Sequence, residues 1–90
     1  MLGEEHPYTL LSLDNLAVAY GESGDHSKAL KMSKRVYSQY CKVLGETHPD
    51  TLMSLSNLAY AYYDFGNQKK TLELRRKAYE LFSKHFGETH

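Results

Sequence analysis

Three histidines stand at one place in a repeating pattern: His6, His48 and His90, each 42 residues from the next. Imidazole is the commonest protein ligand for transition metals, so a regular series of this kind raises the question of a metal centre. Geometry answers it. Zinc ligands lie about 2 Å from a shared ion. Equivalent residues of stacked helical units are separated by a helix-packing distance, on the order of 10 Å. The three therefore cannot converge within one chain, and His26 and His85 lack a partner at ligand-like spacing. No metal and no cofactor are expected. His6 and His48 each precede a proline, and that places them at helix starts instead.

Cys41 is the one cysteine. A reactive thiol needs an adjacent base and an electropositive setting. Cys41 instead falls on an apolar helical stripe, where it reads as a small buried core residue. No GxSxG, HExxH, CxxC or phosphate-loop pattern occurs. No catalytic residue is expected, and the chain does not read as an enzyme. A single thiol forms no internal disulfide, which fits a reducing compartment. No stretch approaches the roughly 20 apolar residues of a membrane helix. Met1-Leu2-Gly3-Glu4-Glu5 has neither a basic nor an apolar leader character. Cytoplasmic localisation is the expectation.

The histidine register extends to the whole chain. Leu2–Val43 aligns without a gap on Leu44–His85, with 19 identities. LGEEHPYTLLSLDNLAVAY lies over LGETHPDTLMSLSNLAYAY, and Phe86-Gly87-Glu88-Thr89-His90 matches the opening of another copy. A period of this size is the signature of a helical repeat array. The expected organisation is a single fragment of such an array, with repeat 1 at about 2–43, repeat 2 at about 44–85 and the start of a third at 86–90.

Each copy predicts two helices. Pro7 and Pro49 suit the first helical position, where no intrahelical partner for the N–H exists. Asp50 adds negative charge at the positive end of the helix dipole. Leu10, Leu13, Leu16, Ala17 and Tyr20 recur at three- and four-residue steps, as do Leu52, Leu55, Leu58, Ala59 and Tyr62, one buried stripe per helix. Gly24 and Gly66 follow as left-handed terminators. Asp25 and Asn67 then offer N-caps for second helices. The stripe of the first copy's second helix is Ala29, Leu30, Ser33, Val36, Tyr37, Tyr40 and Cys41. In the second copy it is Leu72, Arg75, Ala78, Tyr79, Phe82 and Phe86. Short turns make the helices of a pair antiparallel. The fold class predicted is all-α, two tandem helix–turn–helix units.

Asn15-Leu16-Ala17-x-Ala19-Tyr20, Gly24-Asp25 and Ala29, matched by Asn57-Leu58-Ala59-x-Ala61-Tyr62, Gly66-Asn67 and Ala78, resemble the tetratricopeptide pattern. The longer period and the LGE-x-HP-x-T signature resemble the 42-residue subclass of kinesin light chains and of many bacterial regulatory proteins. The resemblance covers the whole chain. Thr71 at the place of Ala29 and Arg75 at the place of Ser33 depart from it. It implies a right-handed α-solenoid with first helices on the concave face, and a scaffold that binds a peptide or partner protein there. In similar grooves the asparagine at the position of Asn15 and Asn57 holds ligand backbone.

Charge divides by helix. Residues 1–24 hold Glu4, Glu5, Asp14 and Glu22, and residues 44–66 hold Glu46, Asp50 and Asp64, with no Lys or Arg in either. Lys31, Lys34, Arg35, Arg75, Arg76 and Lys77 lie in the second helices. One reading is complementarity between neighbours with solvated faces. The other is an acidic groove that favours a basic ligand, unlike the acidic, tryptophan-containing peptides that kinesin light chain grooves favour. Helix geometry puts Asp14, Asn15, Val18 and Glu22 of the first copy on the candidate binding face. Ser56, Asn57, Tyr60, Tyr63 and Asp64 join them from the second. Tyr60 and Tyr63, where the first copy has Val18 and Gly21, either anchor a ligand or pack on a further repeat. The alternative function is nucleic-acid binding by the basic second helices, against which net neutrality and the lack of a dedicated motif both count. Two repeats fall short of the roughly three usually needed for stability, and no polar capping helix is present. The last helix should then expose an apolar face, and end-to-end stacking or another homo-oligomer is expected.

Overall fold

The computed structural model describes residues 6–86, and the described residues form four helices. These are α1 (Pro7–Glu22), α2 (His26–Leu44), α3 (Pro49–Phe65) and α4 (Gln68–Phe86). Each begins where the chain supplies an acceptor for otherwise unpaired N–H groups. His6 Nδ1 accepts from the Tyr8 N–H at 3.2 Å, and His48 Nδ1 from the Asp50 N–H at 3.0 Å. The histidine register is therefore a capping register, with proline next to each cap. His90 lies outside the described residues. Asp25 Oδ1 accepts from the Lys28 N–H at 3.2 Å and Asn67 Oδ1 from the Lys70 N–H at 3.0 Å, as the spacing predicts. Gly24 and Gly66, both at φ 99°, adopt the left-handed turn that other residues rarely can.

Consecutive helices pack on one another. The backbones of α1 and α3 also come close, whereas α2 and α4 meet only through side chains, as Lys77 does over Tyr37. First helices thus form an inner layer and second helices an outer one. Leu10, Val36 and Tyr40 make a core inside the first hairpin, flanked by Leu13 and Leu44. Leu30, Leu58, Ala61 and Tyr62, flanked by Tyr37 and Leu74, join the two hairpins. Buried hydroxyls finish the seams. Thr51 Oγ1 donates to the Tyr40 carbonyl at 3.4 Å, and Thr71 Oγ1 reaches the Asn67 and Ala59 carbonyls at 2.9 and 3.3 Å.

Two details differ from the sequence expectation. Leu16 is 44% exposed, while its repeat equivalent Leu58 is 6% exposed. Leu58 faces α2 of the preceding hairpin, and no described helix lies outside α1. Cys41 is half-buried rather than enclosed. The apolar stripe of α4 forms as expected and stands open, with Leu72, Tyr79, Phe82 and Phe86 exposed.

Candidate functional site

The inner layer gathers the predicted face from α1 and α3. Its most unusual member is Asp14, 4% exposed and turned into the seam between hairpins. Asn57 Nδ2 donates to Asp14 Oδ2 at 3.1 Å. Asp14 Oδ1 is buried with no hydrogen-bond partner among the described residues. Burial disfavours the charged form and pushes the carboxyl from 3.8 to about 6, against the opposing pull of the Asn57 bond. The Tyr40 hydroxyl in α2 is pushed up as well, by burial first and then by Asp14 and Asp50. Asn57 is therefore partly committed inside the protein.

Beside this bond lies a cleft of about 20 Å³. Ala17, Val18 and Gly21 of α1 form one side, Ala29 and Ser33 of α2 the floor. Asn57, Tyr60, Ala61 and Asp64 of α3 close the other side. Space of this order holds about one water-sized group, so it is a notch in a surface and not an enclosing pocket. The notch is open because four of these positions, Ala17, Gly21, Ala29 and Ala61, are Gly or Ala. A Cβ on Gly21 would sit 3.6 Å from Ala29 Cβ and 3.9 Å from Asp64 Oδ2.

Four predicted face residues meet at the notch: Val18, Asn57, Tyr60 and Asp64. Tyr60 and Tyr63 are 52% and 54% exposed, and their rings stack with centroids 6.4 Å apart. Asn15, Glu22 and Ser56 are exposed and do not line the notch; Ser56 borders a separate depression with Arg75 and Ala78. Sequence reasoning missed two contributors. Gly21 has a signal, since it is the glycine opposite Tyr63 in the repeat alignment. His26, with Nδ1 3.9 Å from Asp64 Oδ2, has none, because the pairing crosses between hairpins. No group of three or more His, Cys, Asp or Glu able to hold a metal occurs among the described residues.

The basic second helices use several lysines internally. Lys28 lies over the Tyr20 ring at 4.9 Å, and both Lys34 and Lys70 lie over Tyr62, at 5.5 and 6.0 Å. Lys77 lies over Tyr37 at 5.8 Å and 3.9 Å from Glu46. No helix among the described residues is long and apolar enough to cross a membrane.

A search of the curated proteins found no match. Solved structures do match. One is a point variant of a Podosopora anserina protein assigned as a kinesin light chain, with nearly identical TPR-like repeats. It aligns at TM-score 0.86 and 31% identity over 97% of this chain. Another structure described by the same words aligns at TM-score 0.83 and 32% identity over 93% of this chain. This chain spans about two fifths of each, 41% and 40%. The tetratricopeptide repeat family model matches residues 9–50 and 51–90. With the capped hairpins, the layer order and these matches together, the chain belongs to the tetratricopeptide repeat family.

Proposed function

We propose that this chain is part of a protein-interaction scaffold whose inner face, formed by α1 and α3, binds a basic peptide or a basic segment of a partner protein. Repeat arrays of this family expose an extended surface, and their neighbours bind through contact with it. The observation that carries the reading is the exposed Tyr60–Tyr63 stack beside Asp64, on helices that hold no lysine or arginine. Tyrosine gives a rigid, amphipathic contact, and the carboxylates of Glu22 and Asp64 complement cationic side chains. The notch between Val18 and Tyr60 admits a small group, which suits a chain laid across the surface. Asn15 is free to face such a chain, while Asn57 and Asp14 act mainly by fixing the two hairpins relative to each other.

The test is titration of fluorescent lysine- and arginine-containing peptides, against glutamate-substituted versions, by polarisation. Basic peptides should bind with affinity that falls as salt rises. Tyr60→Ala with Tyr63→Ala should weaken binding about tenfold or more, the size of a hot-spot loss. Preference for the acidic peptides, or indifference to both tyrosines, would overturn the proposal. The same face would be bypassed if DNA or RNA bound instead with a steep salt dependence.

The chain also self-associates in this reading. Exposed apolar side chains on α1 and α4 lie at opposite ends of the helix stack. Contiguous apolar surface of this kind marks association.

A further inference from the structure

The notch between the two hairpins combines hydrocarbon walls with a few oxygen acceptors. Ala17, Val18, Gly21, Ala29 and Ala61 supply the hydrocarbon, and Tyr60 adds a ring. The other polar members of the lining are Ser33 of α2 and Asn57 and Asp64 of α3. Asp64 Oδ2 stands 3.9 Å from the place a Cβ on Gly21 would take, so the carboxylate is turned over that glycine. Among the described residues no Lys or Arg lies within ion-pair distance of Asp64; its neighbour at that range is the His26 imidazole, 3.9 Å away. Asn57 commits Nδ2 to Asp14, which leaves its carbonyl oxygen as an acceptor. The repeat position of Gly21 is held by Tyr63 in the second copy, so the notch depends on this one glycine.

We propose that the notch selects lysine: the ε-ammonium of a lysine in the bound segment enters it, and arginine is left outside. This rests on the basic ligand proposed above for the inner face and names the side chain that the face reads. Size comes first. A space of about 20 Å³ takes one water-sized group, and an ammonium is of that size. A guanidinium is a flat fork several atoms wide and cannot enter without parting the helices. Hydrogen bonding agrees. An ammonium carries three N–H donors and no acceptor, and Asp64, Asn57 and Ser33 offer oxygen acceptors around the space. A methyl group matches the size, but it would cover those acceptors without replacing their water, which costs free energy. Charge sets the sign. Neither α1 nor α3 holds a Lys or Arg that could neutralise Asp64. The hydrocarbon stem of the lysine lies along Val18 and the Tyr60 ring, as such stems do on apolar surface.

Fluorescence polarisation of the whole chain with one family of labelled peptides tests this. Each peptide has a pair of arginines on either side of a central lysine, arginine or norleucine, so only the central side chain changes. The lysine peptide should bind about tenfold more tightly than the other two, the size of one hydrogen bond to a charged group. Gly21→Ala, which fills the notch, should bring the lysine peptide down to the level of the arginine peptide and leave the arginine peptide unchanged. Asp64→Asn should weaken the lysine peptide more than the arginine peptide. Unchanged helical circular dichroism shows that both variants fold. Equal binding of all three peptides, or preference for arginine or norleucine, overturns lysine selection. So does a lysine preference that survives either substitution. If in those cases Tyr60→Ala with Tyr63→Ala still weakens every peptide, the inner face remains the binding surface and only its lysine subsite is lost. Failure of all three peptides to bind overturns both.

Discussion

Asp14 shows how one side chain can set the pH response of a small repeat protein. Its carboxyl is raised from 3.8 to about 6 by burial. Between those values the folded protein holds a proton that the unfolded chain has released. Stability therefore falls as pH rises through this window and remains lower above it, by about 3 kcal/mol. Asp14→Asn keeps an acceptor for Asn57 and removes the buried charge. Chemical denaturation of this variant should show greater stability than the parent at pH 7 and little difference at pH 4. Equal stability at pH 7 would mean that Asp14 is better solvated than its burial indicates. The histidine caps give a second residue-scale prediction. His48→Ala should cost about 1 kcal/mol, the usual loss for a removed N-cap, and His48→Asn should restore most of it. The capping role of His6 and His48 was legible from the His-Pro pairs. The Asp14–Asn57 bond was not, because its partners lie 43 residues apart and meet only when two hairpins stack. Both residues look like surface positions on their own helices.

At the scale of the helix, identical sequence does not mean identical surroundings. Leu16 and Leu58 occupy the same repeat position, yet only Leu58 is covered by a neighbouring helix. Periodicity reports which side chains share a face. It does not report whether anything lies against that face. Leu55→Ala, at a position with no exposure, should destabilise by about 2–5 kcal/mol and abolish cooperative unfolding in so small a protein. Leu16→Ala should cost about 1 kcal/mol or less in the monomer, because half its surface is already in water. Thermal melts of the two variants at low concentration compare them directly. Gly21→Ala tests the notch from inside a helix. The added methyl meets its neighbours at ordinary contact distances. Stability should rise by roughly 0.5–1 kcal/mol through the lost flexibility of glycine, while peptide affinity falls as the notch fills. Unchanged affinity would place the ligand elsewhere.

The whole molecule is a two-layered stack whose charge follows its layers. Repeat length, helix count, turns and acidic-to-basic alternation could all be read along the chain, since each is local or periodic. What could not be read is how the alternation is used. Lysines of the outer helices lie over tyrosines contributed by neighbouring helices, as Lys28 does over Tyr20 and Lys34 over Tyr62. Much of the basic charge thus serves contacts inside the protein. The acidic inner face keeps its tyrosines open to solvent. Backbone amide shifts recorded by nuclear magnetic resonance during titration with a lysine-rich peptide would locate the bound surface residue by residue. Changes concentrated at Val18, Gly21, Asn57, Tyr60, Tyr63 and Asp64 are the predicted result. Changes confined to α2 and α4, or none on the inner helices at saturating peptide, would contradict it.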